Sequence, residues 1–200
     1  FGVLNLGQTP IAGAVERLDL LRRAGRVVKV VSNAAGDPPA VLLRKMRDMG
    51  FDLELGDLIT SREALTRQLH RSQPRLWGVV TPAGSDLSDL PGRCIHLGDD
   101  PARTDEADGF LLLTALEEDP DAQDRLLRSL RARPRPVWVA NADLAAPREW
   151  GFSVEPGALA MIHPVFRLAA SQPQLLAEHA AAYAGLLGEE LAMGSARLQR

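Results

Sequence analysis

The run Val27-Val28-Lys29-Val30-Val31, ending in the polar turn Ser32-Asn33-Ala34-Ala35-Gly36, constrains this chain more than any other feature. A short β-branched run bounded by turn residues reads as a buried strand, and it lies between two segments of helical period. Ahead of it, Pro10 stands where a first helical turn tolerates a residue without an N–H, and Ala14, Leu18 and Leu21 repeat at helical spacing up to Gly25. Behind it, a helix from about Pro38 to Met49 carries Val41, Leu42, Lys45, Met46 and Met49 on one face, with Gly50 as its stop. Leu58-Ile59-Thr60-Ser61 reads as a brief strand edge whose Thr/Ser pair caps a third helix toward His70. Alternating helices and strands with short connections call for a parallel sheet with right-handed crossovers.

From Arg75 the texture changes. Leu76-Trp77-Gly78-Val79-Val80, Cys94-Ile95-His96-Leu97 and Phe110-Leu111-Leu112-Leu113 are strand candidates separated by turns rich in Asp, Pro and Gly. The acidic stretch Glu117-Glu118-Asp119 starts a helix through Leu126, Leu127 and Leu130, with arginines near its other end as the helix dipole favours, and Pro134 and Pro136 close it. Val137-Trp138-Val139-Ala140 is a fourth strand of this smaller α/β module, ending in Asn141-Ala142-Asp143, and Phe152-Ser153-Val154 is a candidate fifth. Beyond His163 the chain reads as helical, with an alanine- and leucine-rich stretch from Gln174 to Leu191.

Composition narrows the function classes. Hydrophobic residues at 46% and charged residues at 24% suit a packed globular chain. A net charge of −3 supplies no broad basic face, so no nucleic-acid partner is expected. No apolar run approaches the roughly 20 residues needed to span a bilayer, and no charged-then-apolar leader opens the chain, which sets a cytoplasmic, membrane-free protein as the expectation. Cys94 is the sole cysteine and reads as a small buried hydrophobe.

Chemistry concentrates at Ser32 and Asn33. A hydroxyl and an amide at the carboxyl end of a strand stand where open parallel sheets bind ligands, and N–H groups of the following turn can join Ser32 on phosphate oxygens. A capping or turn serine is the competing reading. In order along the chain come Gly2-Val3-Leu4-Asn5, the Thr9-Pro10-Ile11-Ala12-Gly13-Ala14 helix start, the Arg23-Ala24-Gly25 stop and Val31-Ser32-Asn33. This order resembles the haloacid dehalogenase-like (HAD) superfamily. The subgroup it resembles carries a large cap between the second and third motifs and includes 4-nitrophenylphosphatase-like and sugar- or nucleotide-phosphate phosphatases. Val137–Asp143, with Ala146-Pro147-Arg148 and Glu155-Pro156-Gly157-Ala158 after it, is similar to the cap segment of that subgroup. The resemblance covers residues 1–72 and 134–160, and the rest of the cap only in its rhythm.

The resemblance implies an α/β fold: a Rossmann-like core with a parallel sheet and an inserted α/β cap. Residues 1–73 would form the first part of the core, 74–160 the cap, and 161–200 a helical return to the core that lacks the remaining strands of a full one. It implies Mg²⁺-dependent hydrolysis of a small phosphorylated metabolite through an aspartyl-phosphate, which splits one hard displacement into two easier ones. In that family's first motif, Asp-x-Asp-Gly-Val, Gly2-Val3 fixes the register, so the nucleophile is expected just upstream of Phe1. Phe1 then occupies the place of the general acid and base, a role phenylalanine cannot fill, although its backbone carbonyl can ligate Mg²⁺. Gly2, Ser32 and Asn33 fall at phosphate-binding positions, with Ser32 in the second motif. In the cap, Asn141 and Asp143 would face the core and select the organic part of the substrate, with turn formation an equally good reason for both. Caps of this type often mediate dimers, so the resemblance allows a homodimer.

Other signals carry less. His163-Pro164-Val165-Phe166-Arg167 resembles the residues after the third-motif lysine, but Met161-Ile162 stands where Lys-Pro is expected, and the chain shows no fourth-motif Gly-Asp segment beyond it. Leu97-Gly98-Asp99-Asp100-Pro101 with Thr104-Asp105 mimics that fourth motif, yet precedes the cap segment, so a solvated turn is the better reading. His70, His96 and His179 have no metal-site spacing. A dinucleotide-binding domain lacks the Gly-x-Gly-x-x-Gly that pyrophosphate approach requires. A HAD-like binding or regulatory protein that has lost turnover is the alternative class, favoured by Phe1 and the missing lysine.

Overall fold

Two parallel sheets arise from the alternation of strand and helix. A computed structural model of the chain describes residues 2–71, 75–114, 120–141, 143, 145–148 and 151–154. The elements in chain order begin with β1 (Asn5–Leu6), β2 (Thr9–Pro10), α1 (Ala14–Arg23), β3 (Val30–Ser32), α2 (Pro39–Asp48), β4 (Leu58–Thr60) and α3 (Ser61–Arg71). They continue with β5 (Leu76–Val80), β6 (Arg93–His96), β7 (Gly109–Leu112), α4 (Pro120–Ala132), β8 (Val137–Val139), β9 (Ala145–Arg148) and β10 (Gly151–Val154). The readings of Phe1, the acidic start 117–119, Glu155-Pro156-Gly157, His163 and the helical return 161–200 lie outside the described residues.

In the first unit β3 and β4 pair in parallel, with Val30 opposite Leu58 and Ser32 opposite Thr60. Ala14 and Leu18 of α1 and Leu43 and Met46 of α2 close on Phe51, Leu53 and Leu58 to make its core. Two expectations need correction here. Pro10 does not open the first helix: it pairs with Asn5 in an antiparallel hairpin, and the helix begins at Ala14 behind Gly13, whose φ of 79° suits glycine. The hairpin wins because proline sits comfortably on an edge strand that needs no N–H from it. The strand after α1 is also shorter and less buried than its composition suggests. Val27, ahead of β3, and Val31 within it are 49% and 44% exposed, and β4 is the only strand paired with β3 among the described residues.

The second sheet has the order β6-β5-β7-β8, with every neighbouring pair parallel. Its strands alternate with the two-residue period of a sheet covered on both faces. Val80, Phe110, Leu112, Val137 and Val139 pack with Leu126, Leu127 and Leu130 of α4. Trp77, Val79, Leu111, Leu113 and Trp138 pack on the opposite side with Leu65 and Leu69 of α3. So α3, which falls within residues 1–73, lies against the second sheet. Each fully buried Phe110 or Leu112 contributes on the order of 2 kcal/mol through apolar burial. Phe152–Val154 does not extend this sheet. β10 pairs antiparallel with β9, because a two-residue link allows a hairpin and cannot make a parallel crossover. No helix among the described residues is long and apolar enough to cross a membrane.

Candidate functional site

Ser32 and Thr60 are register partners at the carboxyl ends of β3 and β4, and the segments leaving these two strands form the site. From Thr60 the chain turns directly into α3, and Thr60 Oγ1 accepts the Glu63 N–H at 3.1 Å as the expected helix cap. From Ser32 it enters the turn 33–36. Ser32 Oγ accepts the Ala34 N–H at 3.2 Å, so the serine does serve the turn. A hydroxyl that accepts still has its own proton to donate.

The turn is pinned from behind. Ser61 Oγ donates to the Asn33 carbonyl at 2.8 Å. The Arg62 guanidinium donates to the carbonyls of Ala35 at 3.0 Å and Gly36 at 3.3 Å. Ala35, 3% exposed, sits in the apolar cluster of Trp77, Leu111 and Leu113. Gly36 comes so near the end of β7 that a Cβ there would lie 2.8 Å from Thr114 Cγ2. The carboxyl edge of the second sheet, where such sheets usually take a ligand, is thus met by the first unit's own turn.

Asn33 and Asp143 meet across the two units, Asn33 Nδ2 donating to Asp143 Oδ2 at 2.8 Å on the exposed rim. Asn141, 7% exposed, accepts the Asp143 N–H on Oδ1 at 2.9 Å. Its carbonyl oxygen therefore shapes the turn, and the expected substrate-facing pair divides: Asp143 faces Asn33, and Asn141 supports Asp143. Gly2 donates its N–H to the Asn5 carbonyl at 2.8 Å with φ 78°, closing a local turn.

Ser32 lines a groove of about 460 Å³ together with Leu4, Asn5, Gln8, Val31 and Lys45. This brings the segment after Gly2 and the Ser32 turn to one place, as their order along the chain suggests. Lys45 Nζ donates to Asp37 Oδ2 at 2.5 Å. Among the described residues no three His, Cys, Asp or Glu side chains come together to hold a metal ion. Two of the acids 99–105 have partners elsewhere in the second unit: Asp99 accepts the Gly84 N–H at 2.9 Å, and Asp105 accepts from the Ser129 hydroxyl.

Sequence reasoning missed Ser61 as a tie, Arg62 and Thr114. An arginine in the first turn of an amphipathic helix reads as solvated, and nothing nearby in the chain announces its partners. Thr114 Oγ1 is buried without a hydrogen-bond partner among the described residues, next to the Gly36 backbone.

Residues 1–101 match the haloacid dehalogenase-like hydrolase family model. The human haloacid dehalogenase-like hydrolase domain-containing protein 2 is 31% identical over 74 residues, which cover 37% of this chain and 29% of that protein. Among solved structures, a hypothetical protein from Pyrococcus horikoshii superposes with a TM-score of 0.64 at 19% identity, covering 84% of this chain and 65% of that one. A glycerol phosphate phosphatase from Mycobacterium tuberculosis, in complex with magnesium, gives 0.61 at 19% identity, covering 86% of this chain and 50% of that one. The chain thus spans less than two thirds of the length of each of these relatives. With the family model matched over half of its 200 residues and the same fold in these structures, the chain belongs to the haloacid dehalogenase-like hydrolase family.

Proposed function

We propose that the protein is a phosphohydrolase acting on a small phosphate monoester, with Ser32 and the amides of its turn holding the phosphoryl oxygens. The observation that carries this reading is the Ser32 hydroxyl, placed at a strand end and accepting from Ala34, in a residue that lines the same groove as Lys45. Donors fixed by the fold stabilise developing charge without reorganising during the reaction. Membership of the family supports hydrolysis, and the glycerol phosphate phosphatase of the same fold supports a phosphate monoester.

The resemblance puts the attacking carboxylate ahead of Phe1 and gives Phe1 the general acid's place. Phenylalanine moves no proton, so turnover is expected to be slower by about 10²- to 10⁴-fold than with an acid there. Magnesium accompanies the proposal by analogy with the magnesium-bound neighbour. Among the described residues no group of three His, Cys, Asp or Glu side chains could hold it. A cytoplasmic location and a homodimer belong to the same proposal.

The test is hydrolysis of p-nitrophenyl phosphate and a panel of small phosphate monoesters by the full-length protein with Mg²⁺, beside Ser32→Ala. Slow turnover that falls by about 10²-fold in the variant is the expected result. Equal rates in both proteins would remove Ser32 from the site. Phosphate binding without turnover would favour the second reading, a binding protein of the same fold, which the phenylalanine at position 1 already recommends.

A further inference from the structure

Arg62 is an arginine with no exposed surface, set in the first turn of α3 between the two units. All five of its N–H donors are engaged. Nε donates to Asp89 Oδ2 at 3.1 Å and one terminal nitrogen to Asp89 Oδ1 at 2.6 Å, a two-pronged pair. That same nitrogen also donates to the Asp86 carbonyl at 2.9 Å. The other terminal nitrogen reaches back to the carbonyls of Ala35 and Gly36. One planar group thus joins the turn behind Ser32 to the loop that comes after β5 in the second unit.

Peptide geometry then sets the direction of the turn's amides. A trans peptide holds N–H antiparallel to the preceding carbonyl, and no cis bond is present among the described residues. With the carbonyls of Asn33, Ala35 and Gly36 drawn onto Ser61 and Arg62, the N–H groups of Ala34, Gly36 and Asp37 are turned to the opposite side. The Ala34 N–H is found there, on Ser32 Oγ. We propose that Arg62 is a positioning residue: it fixes the turn so that its amides and the Ser32 hydroxyl face a bound phosphoryl group together, and Asp89 ties that shape to the second unit. Apolar packing alone would not require an arginine here, since burying a guanidinium is costly unless every donor is met. The proposal rests on the phosphate-binding reading of Ser32.

The test measures inorganic phosphate affinity and thermal melting of the full-length protein beside Ser32→Ala, Arg62→Lys and Asp89→Asn. Lysine keeps the charge and loses the fork. The expected result is a phosphate Kd about tenfold weaker in Arg62→Lys, because a small misplacement of binding groups is costly, with a smaller loss in Asp89→Asn. A variant that melts lower yet binds phosphate within about twofold of the parent, while Ser32→Ala still weakens it, overturns the positioning role and leaves the phosphate site standing. Should Arg62→Lys not fold, Asp89→Asn decides by the same criterion. Equal binding by the parent and Ser32→Ala overturns the site itself, and this proposal with it.

Discussion

Asn33 and Asp143 stand 110 residues apart in the chain and 2.8 Å apart in the fold, the amide at the end of β3 donating to the carboxylate beyond β8. This bridge joins the two strand ends that the family resemblance marks as phosphate-side and substrate-side. Because both groups are exposed, solvent takes most of its energy. A double-mutant cycle with Asn33→Ala and Asp143→Ala should give a coupling of about 0.2–1 kcal/mol in urea unfolding. A coupling of several kcal/mol would mean the joint is closed to water.

Gly36 and Gly56 make a matched pair for substitution by alanine. At Gly36 the new Cβ meets Thr114 Cγ2 at 2.8 Å, whereas at Gly56 nothing lies within 4 Å and φ is not in the left-handed region. Gly36→Ala should cost about 1–3 kcal/mol by crowding. Gly56→Ala should be neutral, or stabilising by up to about 1 kcal/mol through the unfolded chain. Similar denaturation midpoints for the two would show that the turn does not press on β7.

Thr60→Ala removes the cap that receives the Glu63 N–H. The expected loss is about 1 kcal/mol, and Thr60→Ser should restore most of it. Equal losses in both variants would point to the methyl group, which is buried with Thr60, instead of the hydroxyl.

Burial pushes the Cys94 thiol above its ordinary value, with nearby Arg62 opposing in part. Less thiolate is then present at about pH 8, and alkylation by iodoacetamide should be about tenfold slower in the folded protein than in urea. A group whose folded pKa is raised stabilises the fold below its unfolded pKa and loses that contribution as pH rises through the folded one. Melting temperature should therefore fall more steeply above the ordinary thiol range than in Cys94→Ala. Equal alkylation rates with and without urea would contradict the burial.

Much of the fold was legible because its signals are local. The hydrophobic runs of β5, β7 and β8 and the stripe Leu126, Leu127, Leu130 can be satisfied only by a covered sheet and a helix on it. The position of Ser32 was legible for the same reason, since a polar pair ending a β-branched run lies at the carboxyl end of its strand. Pro10 misled because helix-start chemistry and edge-strand chemistry make the same demand on a residue without an N–H.

By itself, the sequence determined the helices α1 to α4, the strands β3 to β8, their α/β order and the place of Ser32, since each depends on periodicity and turn chemistry within a few residues. Tertiary structure alone decided that α3 packs on the second sheet, that Val31 is exposed, that Asn33 meets Asp143 and that Arg62 is buried. The physical reason is that an amphipathic face states that it must be covered without stating by what. A buried charge depends on partners such as Asp89, 27 residues away, which no local pattern encodes.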